Sequence, residues 1–323
     1  MSNLDLTVAI CMYNAERYIE ETLRCLMEQT VQDFYLMIVN DCSTDRCVQV
    51  LERFFEKNPR QYELVVFEEN RGIGYARNFA LNHARTKYLL FLDADDLFDA
   101  TLIEKEYDKI VSDEDLMGVS CWSRFMDMKG KTLSGGTYLG AKSKEEFFEK
   151  ASKGKLIFLP IHTMFNRELA IKAGGFCTEG FLDGKPRYAD YCEELDLWTR
   201  MSDFYEQGKV FVVLQEELYF YRKANGLSSN SFNMIVKMRY TKTNVRRRRR
   251  GERDLAFVEF YDSLSVDELQ QLKQDAVAAD SLRNAVFYLY KWNVVMFVWL
   301  MLKSVWNKPA YLLEKLRCNL RFF

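Results

Sequence analysis

The chain is most constrained by one short stretch, in which an apolar strand runs directly into three carboxylates. Residues 88–92 (YLLFL) suit a buried β-strand, and Asp93, Asp95 and Asp96 follow at its carboxyl end. In an open α/β sheet, ligands bind at the carboxyl ends of the strands. Closely spaced carboxylates repel one another unless a positive charge lies between them, so the stretch predicts a divalent cation. The alternative is a solvated turn in which the aspartates only cap the next helix.

Strand-like and helix-like segments alternate along the first part of the chain. The first helix is expected to begin near Asn14, as its N-cap, and to end near Met27. Such alternation is typical of βαβ units around a parallel sheet. The predicted strands are the apolar runs at 6–12, 34–39, 62–67 and 88–92.

The pattern changes after Asp96. Two strand-like segments, 118–128 and 131–138, flank a Lys-Gly turn and are expected to pair antiparallel. Two further strands are predicted at 209–214 and 218–221. Taken together, the segments predict an α/β fold, in which a mixed, mainly parallel sheet is flanked by helices and followed by a C-terminal helical extension.

Two loops of the predicted sheet carry candidate donor-binding residues. Asp41 ends the second strand, where its carboxylate can accept the imide N–H of a uracil, although capping of the next helix by its neighbours explains the segment equally well. Residues 70–78 (NRGIGYARN) resemble a phosphate loop. A dinucleotide fingerprint requires a third glycine where Arg77 stands, so the segment fails as one, and Arg77 is left available to a phosphate.

Two later segments offer further charged side chains. Glu193 and Glu194 begin a predicted helix, where paired carboxylates either favour the helix dipole or supply a general base. Arg222 follows a predicted strand and either binds a diphosphate or lies in an ordinary surface turn. None of these segments decides the function alone.

The order of the motifs carries more information than any one of them. Over residues 4–230 the sequence resembles the family 2 glycosyltransferases, inverting nucleotide-sugar enzymes of the GT-A fold. The matching segments are TVAICMYNAERYIEETLRCLMEQT, IVNDCSTD, ENRGIGYARN, FLDADD, MFNRELAIKAGGF and CEELDLW. The resemblance therefore implies a GT-A (Rossmann-like) catalytic domain, which we assign to residues 1–235.

The resemblance implies a role for each residue of the donor side. It implies that Asp41 reads the uracil base and that Asp93 holds the ribose. It implies that Asp95 coordinates Mn²⁺ or Mg²⁺ at the donor diphosphate, with Asp96 in support. Arg77 would lie near the phosphates. The implied cofactor is thus a divalent cation, and the implied donor is a UDP-sugar.

The resemblance also implies a catalytic base, with three departures from the family pattern. Glu194 takes the place of the family's catalytic aspartate and would deprotonate the acceptor hydroxyl. Asn40 and Cys42 replace the Asp and Gly of the family pattern, and both flank Asp41, the residue implied to recognise the base. Ala224 stands where a histidine is common, so Arg222 becomes the candidate for binding the diphosphate.

Residues 236–323 lie outside the resemblance and differ in charge. The first 235 residues hold 28 Lys and Arg against 38 Asp and Glu, whereas the last 88 hold 17 against 9. A basic run at 246–250 and an apolar, aromatic-rich segment at 285–302 favour a helix lying on anionic lipid. The alternatives for this segment are packing against the catalytic domain or a second subunit, and a true membrane span. No nucleic-acid recognition motif accompanies the arginines.

The remaining features concern compartment and function class. Eight scattered cysteines and an N-terminus without a signal sequence favour a cytoplasmic protein, peripheral on the inner face of the cell membrane. We predict an inverting, metal-dependent transfer from a UDP-sugar to a glycan, lipid-linked in bacterial surface polysaccharide biosynthesis. The rivals are a nucleotidyltransferase, which the first loop (CMYNA) disfavours, and a non-catalytic sugar-nucleotide-binding or scaffold protein. The sequence does not decide the oligomeric state, and a homo-oligomer is one option.

Overall fold

The computed structural model describes residues 4–178, 187–223, 230–290 and 292–309. The chain forms two compact units, one made of Met1–Thr178 with Cys192–Ala224 and the other of Glu179–Tyr191 with Asn225–Phe323. The predicted domains, 1–235 and 236–323, follow the extent of the sequence resemblance rather than compactness and stay a prediction.

The first unit is built around one mixed sheet. Its strand order is β3-β2-β1-β4-β8-β6-β9-β5, with β7 pairing β6 beside this path. The strands β1 to β4 run parallel, whereas β8 pairs antiparallel with both β4 and β6. The mixed sheet confirms the predicted fold class. The strands are β1 Leu6–Met12, β2 Tyr35–Asn40, β3 Glu63–Val66, β4 Tyr88–Asp93, β5 Leu97–Phe98, β6 Leu116–Met126, β7 Thr132–Thr137, β8 Met164–Asn166 and β9 Val210–Arg222.

Helices of this unit flank the sheet and bury one apolar face each. In the first helix, Ile19, Leu23 and Leu26 are fully buried and lie three to four residues apart, which places them on one side. Removing such faces from water stabilises the unit by about 25 cal/mol for each Å² of apolar surface buried. The helices are α1 Ile19–Met27, α2 Cys47–Lys57, α3 Ile73–His83, α4 Leu102–Val111, α5 Lys144–Ser152, α6 Arg167–Lys172 and α7 Glu193–Met201.

The predicted start of the first helix was wrong. Asn14 lies before the helix with a φ of 50°, and its side-chain oxygen accepts a hydrogen bond from the backbone N–H of Thr44 at 2.8 Å. Asn14 therefore joins the loops after β1 and β2, and the helix begins at Ile19. A local capping pattern could not reveal this partner, because Thr44 is distant in sequence.

One long strand replaces the two that were predicted near residue 215. Its pairing with β6 shifts register between Cys121, opposite Leu214, and Trp122, opposite Glu217. The polar residues between Leu214 and Leu218 suggested a turn, but this irregularity accommodates them within β9. The strand consequently continues to Arg222 at the same edge as Asp93.

The second unit consists of helices around a small aromatic core. Four helices are described: α8 Ser231–Arg248, α9 Phe257–Asp262, α10 Val266–Tyr290 and α11 Val294–Asn307. Tyr188, Val236, Tyr240, Phe257, Phe260 and Leu272 form the core. These helices confirm the predicted C-terminal helical extension. Within the described ranges, no helix is both long and apolar enough to cross a bilayer.

The contact between β6 and β9 gives a stability prediction. A Cβ atom on Gly118 would lie 2.3 Å from the ring of Phe211, which is far inside van der Waals contact. Gly118→Ala should therefore lower the free energy of unfolding by about 1–3 kcal/mol, measured by urea denaturation. Combining it with Phe211→Leu, which removes the ring, should cost less than the sum of the two single losses. Additive losses would contradict this explanation.

Candidate functional site

The candidate site lies where three parallel strands end. The registers pair Met12 with Asn40 and Cys11 with Asp93, so the carboxyl ends of β1, β2 and β4 meet at one edge of the sheet. Asp41 directly follows β2, and the turn of Asp95 follows β4. Ligands of open α/β sheets bind at this edge.

Asp41 is buried and holds the segment before α3 in place. Its carboxylate accepts hydrogen bonds from the side chain of Asn70 at 2.9 Å and from the backbone N–H groups of Arg71 at 2.7 Å and Gly72 at 2.8 Å. Gly72 has a φ of 92°, a backbone conformation that residues other than glycine rarely adopt. Asp41 thus shapes one wall of the site, and its predicted contact with a uracil stays a prediction.

Asp95 presents the most available carboxylate of the acidic turn. It is half-buried, and no side chain in the described part of the chain forms a hydrogen bond to its carboxylate. Burial, followed by the charge of Asp93, raises the pKa of Asp95 to about 6. An ionised Asp95 is therefore destabilised until a positive charge approaches it.

Asp96 is turned inward and supports the turn instead of facing the edge of the sheet. One of its oxygens accepts the backbone N–H of Arg222 at 2.6 Å, and the other has no hydrogen-bond partner among the described residues. Burial, with the nearby charges of Asp93 and Asp95, raises the pKa of Asp96 well above its usual range. This position leaves Asp95 as the outward carboxylate, and the predicted supporting role of Asp96 stays a prediction.

The Arg222 side chain braces the same turn. Its Nε donates to the backbone oxygen of Asp95 at 2.6 Å, and its terminal nitrogens donate to the oxygen of Met128 at 3.2 Å and to Glu21 at 2.8 Å. The guanidinium also lies 4.5 Å from the ring centre of Tyr18. The predicted contact with a donor diphosphate would require Arg222 to exchange one of these protein acceptors.

Arg77 joins the sheet edge to the start of α7. Its two terminal nitrogens bind different carboxylates, one that of Asp93 at 2.7 Å and the other that of Glu193 in a short ion pair. Arg77 and Glu193 are both buried. Burial alone would lower the pKa of Arg77, but the charges of the two carboxylates outweigh it and raise that pKa. Arg77 is consequently charged at every physiological pH.

Glu194 lies beside this pair in the first turn of α7. The chain enters the helix through Cys192, whose φ of 49° is left-handed. Burial raises the pKa of Glu194, and the positive charge of Arg77 opposes that rise. The charge of Asp93 also acts on Glu194, so the structure brings the β4 and α7 carboxylates into one electrostatic group around Arg77.

Sequence reasoning missed two residues of this arrangement and the partner of a third. Tyr219 accepts the backbone N–H of Asp93 at its hydroxyl at 3.2 Å, Glu21 binds Arg222, and Glu193 binds Arg77. The Glu-Glu pair was a visible signal for Glu193, although not for its partner. No local pattern pointed to Tyr219 or Glu21, since their partners are more than 100 residues away.

The residues present suit a metal that also binds the donor. Among the described residues, no three His, Cys, Asp or Glu side chains form a group that could hold a metal on its own. Mg²⁺ is usually bound through one or two carboxylates, water and substrate phosphates, and Asp95 supplies one such carboxylate. The half-buried charge of Asp95, repelled by Asp93, favours a cation there, so the donor set fits a metal completed by diphosphate oxygens.

Comparison with known proteins points to one family. The sequence pattern described as Glycosyl transferase family 2 matches residues 7–173, about half of the chain. Over 175 residues the chain is 31% identical to the teichoic acid poly(glycerol phosphate) polymerase of Staphylococcus epidermidis. That match covers 51% of this chain and 24% of the relative, so the chain spans about a quarter of that protein's length.

Solved structures agree on the fold. Residues 1–349 of TarS from S. aureus, in complex with UDP-GlcNAc, match with a TM-score of 0.55 and 15% identity over 94% of this chain and 92% of that one. The mannosyltransferase PcManGT from Pyrobaculum calidifontis, in complex with GDP-Man and Mn²⁺, matches with a TM-score of 0.55 and 20% identity over 95% of this chain and 89% of that one. These similarities confirm the predicted GT-A-like architecture.

The bracing of the acidic turn gives a second prediction. Arg222→Met removes every hydrogen bond of the buried guanidinium and leaves the carbonyl oxygens of Asp95 and Met128 without this donor, so the free energy of unfolding should fall by about 2–4 kcal/mol. Glu21→Gln is the control at the exposed end, where the Glu21 side chain is 55% exposed and its loss should cost less than about 1 kcal/mol. Equal losses for the two variants in urea denaturation would show that the buried contacts of Arg222 add no stability beyond its ion pair with Glu21.

Proposed function

Because the chain belongs to the family 2 glycosyltransferases, as its motifs predicted, we propose that it transfers a sugar from a UDP-sugar to a glycan with inversion of configuration. The observation that carries the proposal is the grouping of Asp93, Glu193 and Glu194 around Arg77, beside the available carboxylate of Asp95. Acidic groups on both sides of one sheet edge suit a reaction that needs a metal on the leaving group and a base on the nucleophile.

On the donor side, the proposal uses the residues at the strand ends. Asp41 contacts the uracil and Asp93 the ribose, while Asp95 would hold Mn²⁺ or Mg²⁺ with Asp96 supporting the turn. Such a cation offsets the diphosphate charge when bound. TarS in complex with UDP-GlcNAc supports a UDP-sugar donor, and PcManGT in complex with GDP-Man and Mn²⁺ supports the metal. Arg77 and Arg222 act in this scheme through the carboxylates and turns that they hold.

On the acceptor side, Glu194 is the proposed general base. A base works best when its pKa approaches the working pH, and burial raises the pKa of Glu194 in that direction. The carboxylate takes the proton of the acceptor hydroxyl as the oxygen attacks the anomeric carbon, and the diphosphate leaves from the opposite face. One displacement inverts the anomeric carbon, so an α-linked donor gives a β-linked product.

The acceptor that we propose is a lipid-linked glycan of bacterial surface polysaccharide biosynthesis. Support comes from the relative in Staphylococcus epidermidis, a teichoic acid polymerase by its description. Such an acceptor is anchored in a bilayer, which requires the enzyme to work close to a membrane surface. We therefore also propose a cytoplasmic, peripheral location on the inner face of the cell membrane.

The second unit offers a surface for this location. On α11, Leu300 and Ser304 are buried, and the Ser304 hydroxyl donates to the oxygen of Ala278 on α10 at 2.9 Å. The opposite face of α11 is apolar and exposed. Its residues are Val294, Val295, Val298, Trp299, Leu302 and Trp306, with Val295 80% and Trp306 89% exposed. Aromatic and aliphatic side chains on one face suit the interfacial layer of a bilayer.

The basic run at 246–250 contributes less than its sequence suggested. Arg247 and Arg250 both pair with Glu252, and Arg248 pairs with Asp254. Arg253 similarly pairs with Glu259. Local acidic partners thus offset much of the positive charge, so we assign the attraction to lipid mainly to the apolar face of α11.

The transfer mechanism is tested by UDP release from UDP-glucose, UDP-galactose and their N-acetyl forms, with Mn²⁺ and then with a chelator. Asp95→Asn should abolish metal-dependent release, because it removes the available carboxylate. Glu194→Gln should lower turnover by about 10²–10⁴-fold and leave donor affinity unchanged, since only the base is lost. The exposed Asp108→Asn and Glu56→Gln are matched controls and should behave as the parent. Parent-like turnover by Glu194→Gln would exclude the base assignment.

The membrane proposal is tested by flotation with liposomes containing an anionic lipid. Replacing Val295, Trp299 and Leu302 together by serine should reduce liposome binding by at least about tenfold, because three exposed apolar side chains are lost. The control replaces Val66, Val111 and Tyr35 by serine, three exposed hydrophobic side chains on the first unit. If both triple variants bind like the parent, α11 is not the lipid-binding surface.

A further inference from the structure

Arg77 occupies a position that the donor-binding role does not explain. Its side chain is 7% exposed, and that of its partner Glu193 is 6% exposed. A bound phosphate would have to displace one of two carboxylates that already face the guanidinium. The buried ion pair with Glu193 and the partly buried one with Asp93 point to a task inside the protein, namely fixing the distance between the end of β4 and the start of α7.

We propose that Arg77, acting through Glu193, is the positioning residue for the catalytic base Glu194. This inference rests on the proposed function, since it assumes that Glu194 is the base. Glu193 is the first residue of α7 and Glu194 the second. Holding the Glu193 carboxylate therefore helps to fix the first turn of the helix, from which Glu194 projects, relative to Asp93 and the donor that Asp93 is proposed to hold.

The start of α7 needs such an anchor. Cys192 occupies the N-cap position in a left-handed conformation, and its side chain makes no capping hydrogen bond. A helix N-terminus without a side-chain cap frays more easily than a capped one. The ion pair between Arg77 and Glu193 ties the first residue of the helix to α3, and through Asp93 to β4. A planar guanidinium is suited to this task because its nitrogens point in fixed directions toward two acceptors.

The charge of Arg77 reaches Glu194 as well. Burial raises the pKa of Glu194, while the guanidinium lowers it. Removing the positive charge should leave the burial effect opposed only by the hydrogen bonds of Glu194, so the pKa of Glu194 would rise further. Because a general base works only when deprotonated, activity would then be lost at a higher pH than in the parent.

The experiment measures kcat and donor KM across pH, as UDP release at saturating Mn²⁺ from the UDP-sugar that the parent hydrolyses fastest. Arg77→Met should lower kcat by roughly tenfold or more and move the acidic limb of the kcat profile upward by about one pH unit. Arg77→Lys keeps the charge but loses the planar guanidinium that binds two acceptors. The kcat should therefore fall, while the acidic limb of the kcat profile stays near that of the parent.

Variants of the partner complete the test. Glu193→Gln should lower kcat by roughly tenfold and change donor KM by less than about twofold, because only the anchor of the base is weakened. The double variant of Arg77→Met with Glu193→Gln should have the same kcat as Arg77→Met alone, since the two residues act as a unit. Arg167→Lys alters a guanidinium that binds backbone oxygens away from the site, and it should leave the pH profile unchanged.

The outcomes separate this inference from the proposed function. If Arg77→Met raises donor KM and keeps the kcat and acidic limb of the parent, Arg77 serves the donor and the inference is overturned. If Arg77→Met does not fold, parent-like kcat in both Arg77→Lys and Glu193→Gln overturns it. Unimpaired turnover by Glu194→Gln instead refutes the base itself, whatever the Arg77 variants do.

Discussion

The positive charge of Arg77 is enclosed by carboxylates that come from β4 and from α7, and the geometry of the site depends on it. Transferring the guanidinium and the Glu193 carboxylate out of water is costly, and only close pairing with good geometry offsets that cost. Breaking such a pair from one side typically costs about 3–5 kcal/mol, because the other charge is left buried and unpaired. Asp93 and Glu193 are therefore held in one relative position, which a flexible surface ion pair could not achieve.

A second arginine follows the same logic at the neighbouring turn. The Arg222 side chain donates to the backbone oxygen of Asp95, while the backbone N–H of Arg222 donates to the carboxylate of Asp96. The two contacts hold the turn at two points, with Asp96 directed inward and the carboxylate of Asp95 left outside these hydrogen bonds. Both arginines were expected near phosphates, yet each has protein acceptors. The arrangement leaves Asp95, with any cation that it holds, as the group that faces an incoming diphosphate.

Local chemistry explains which parts of this structure the sequence could predict. The apolar runs of β1, β2 and β4 and the aspartates after them are contiguous patterns, and they sufficed for the sheet, its edge and the family. The start of α1 and the continuity of β9 were misjudged, because Asn14 bonds to a distant loop and a register shift absorbs polar residues. The pairing of Arg77 with Glu193 spans 116 residues, and only the folded sheet brings them together.

The bracing of the acidic turn by β9 has a consequence for the order in which the site can assemble. Tyr219 and Arg222 reach Asp93 and Asp96 across 126 residues of chain. Closing so long a loop is slow and comes late, after the local β1–β4 layer can already have collapsed. On a ribosome, every aspartate of the edge would emerge well before the strand that orients it. The binding surface would thus mature only when β9 docks, and the nascent chain would present acidic groups without their final geometry until then.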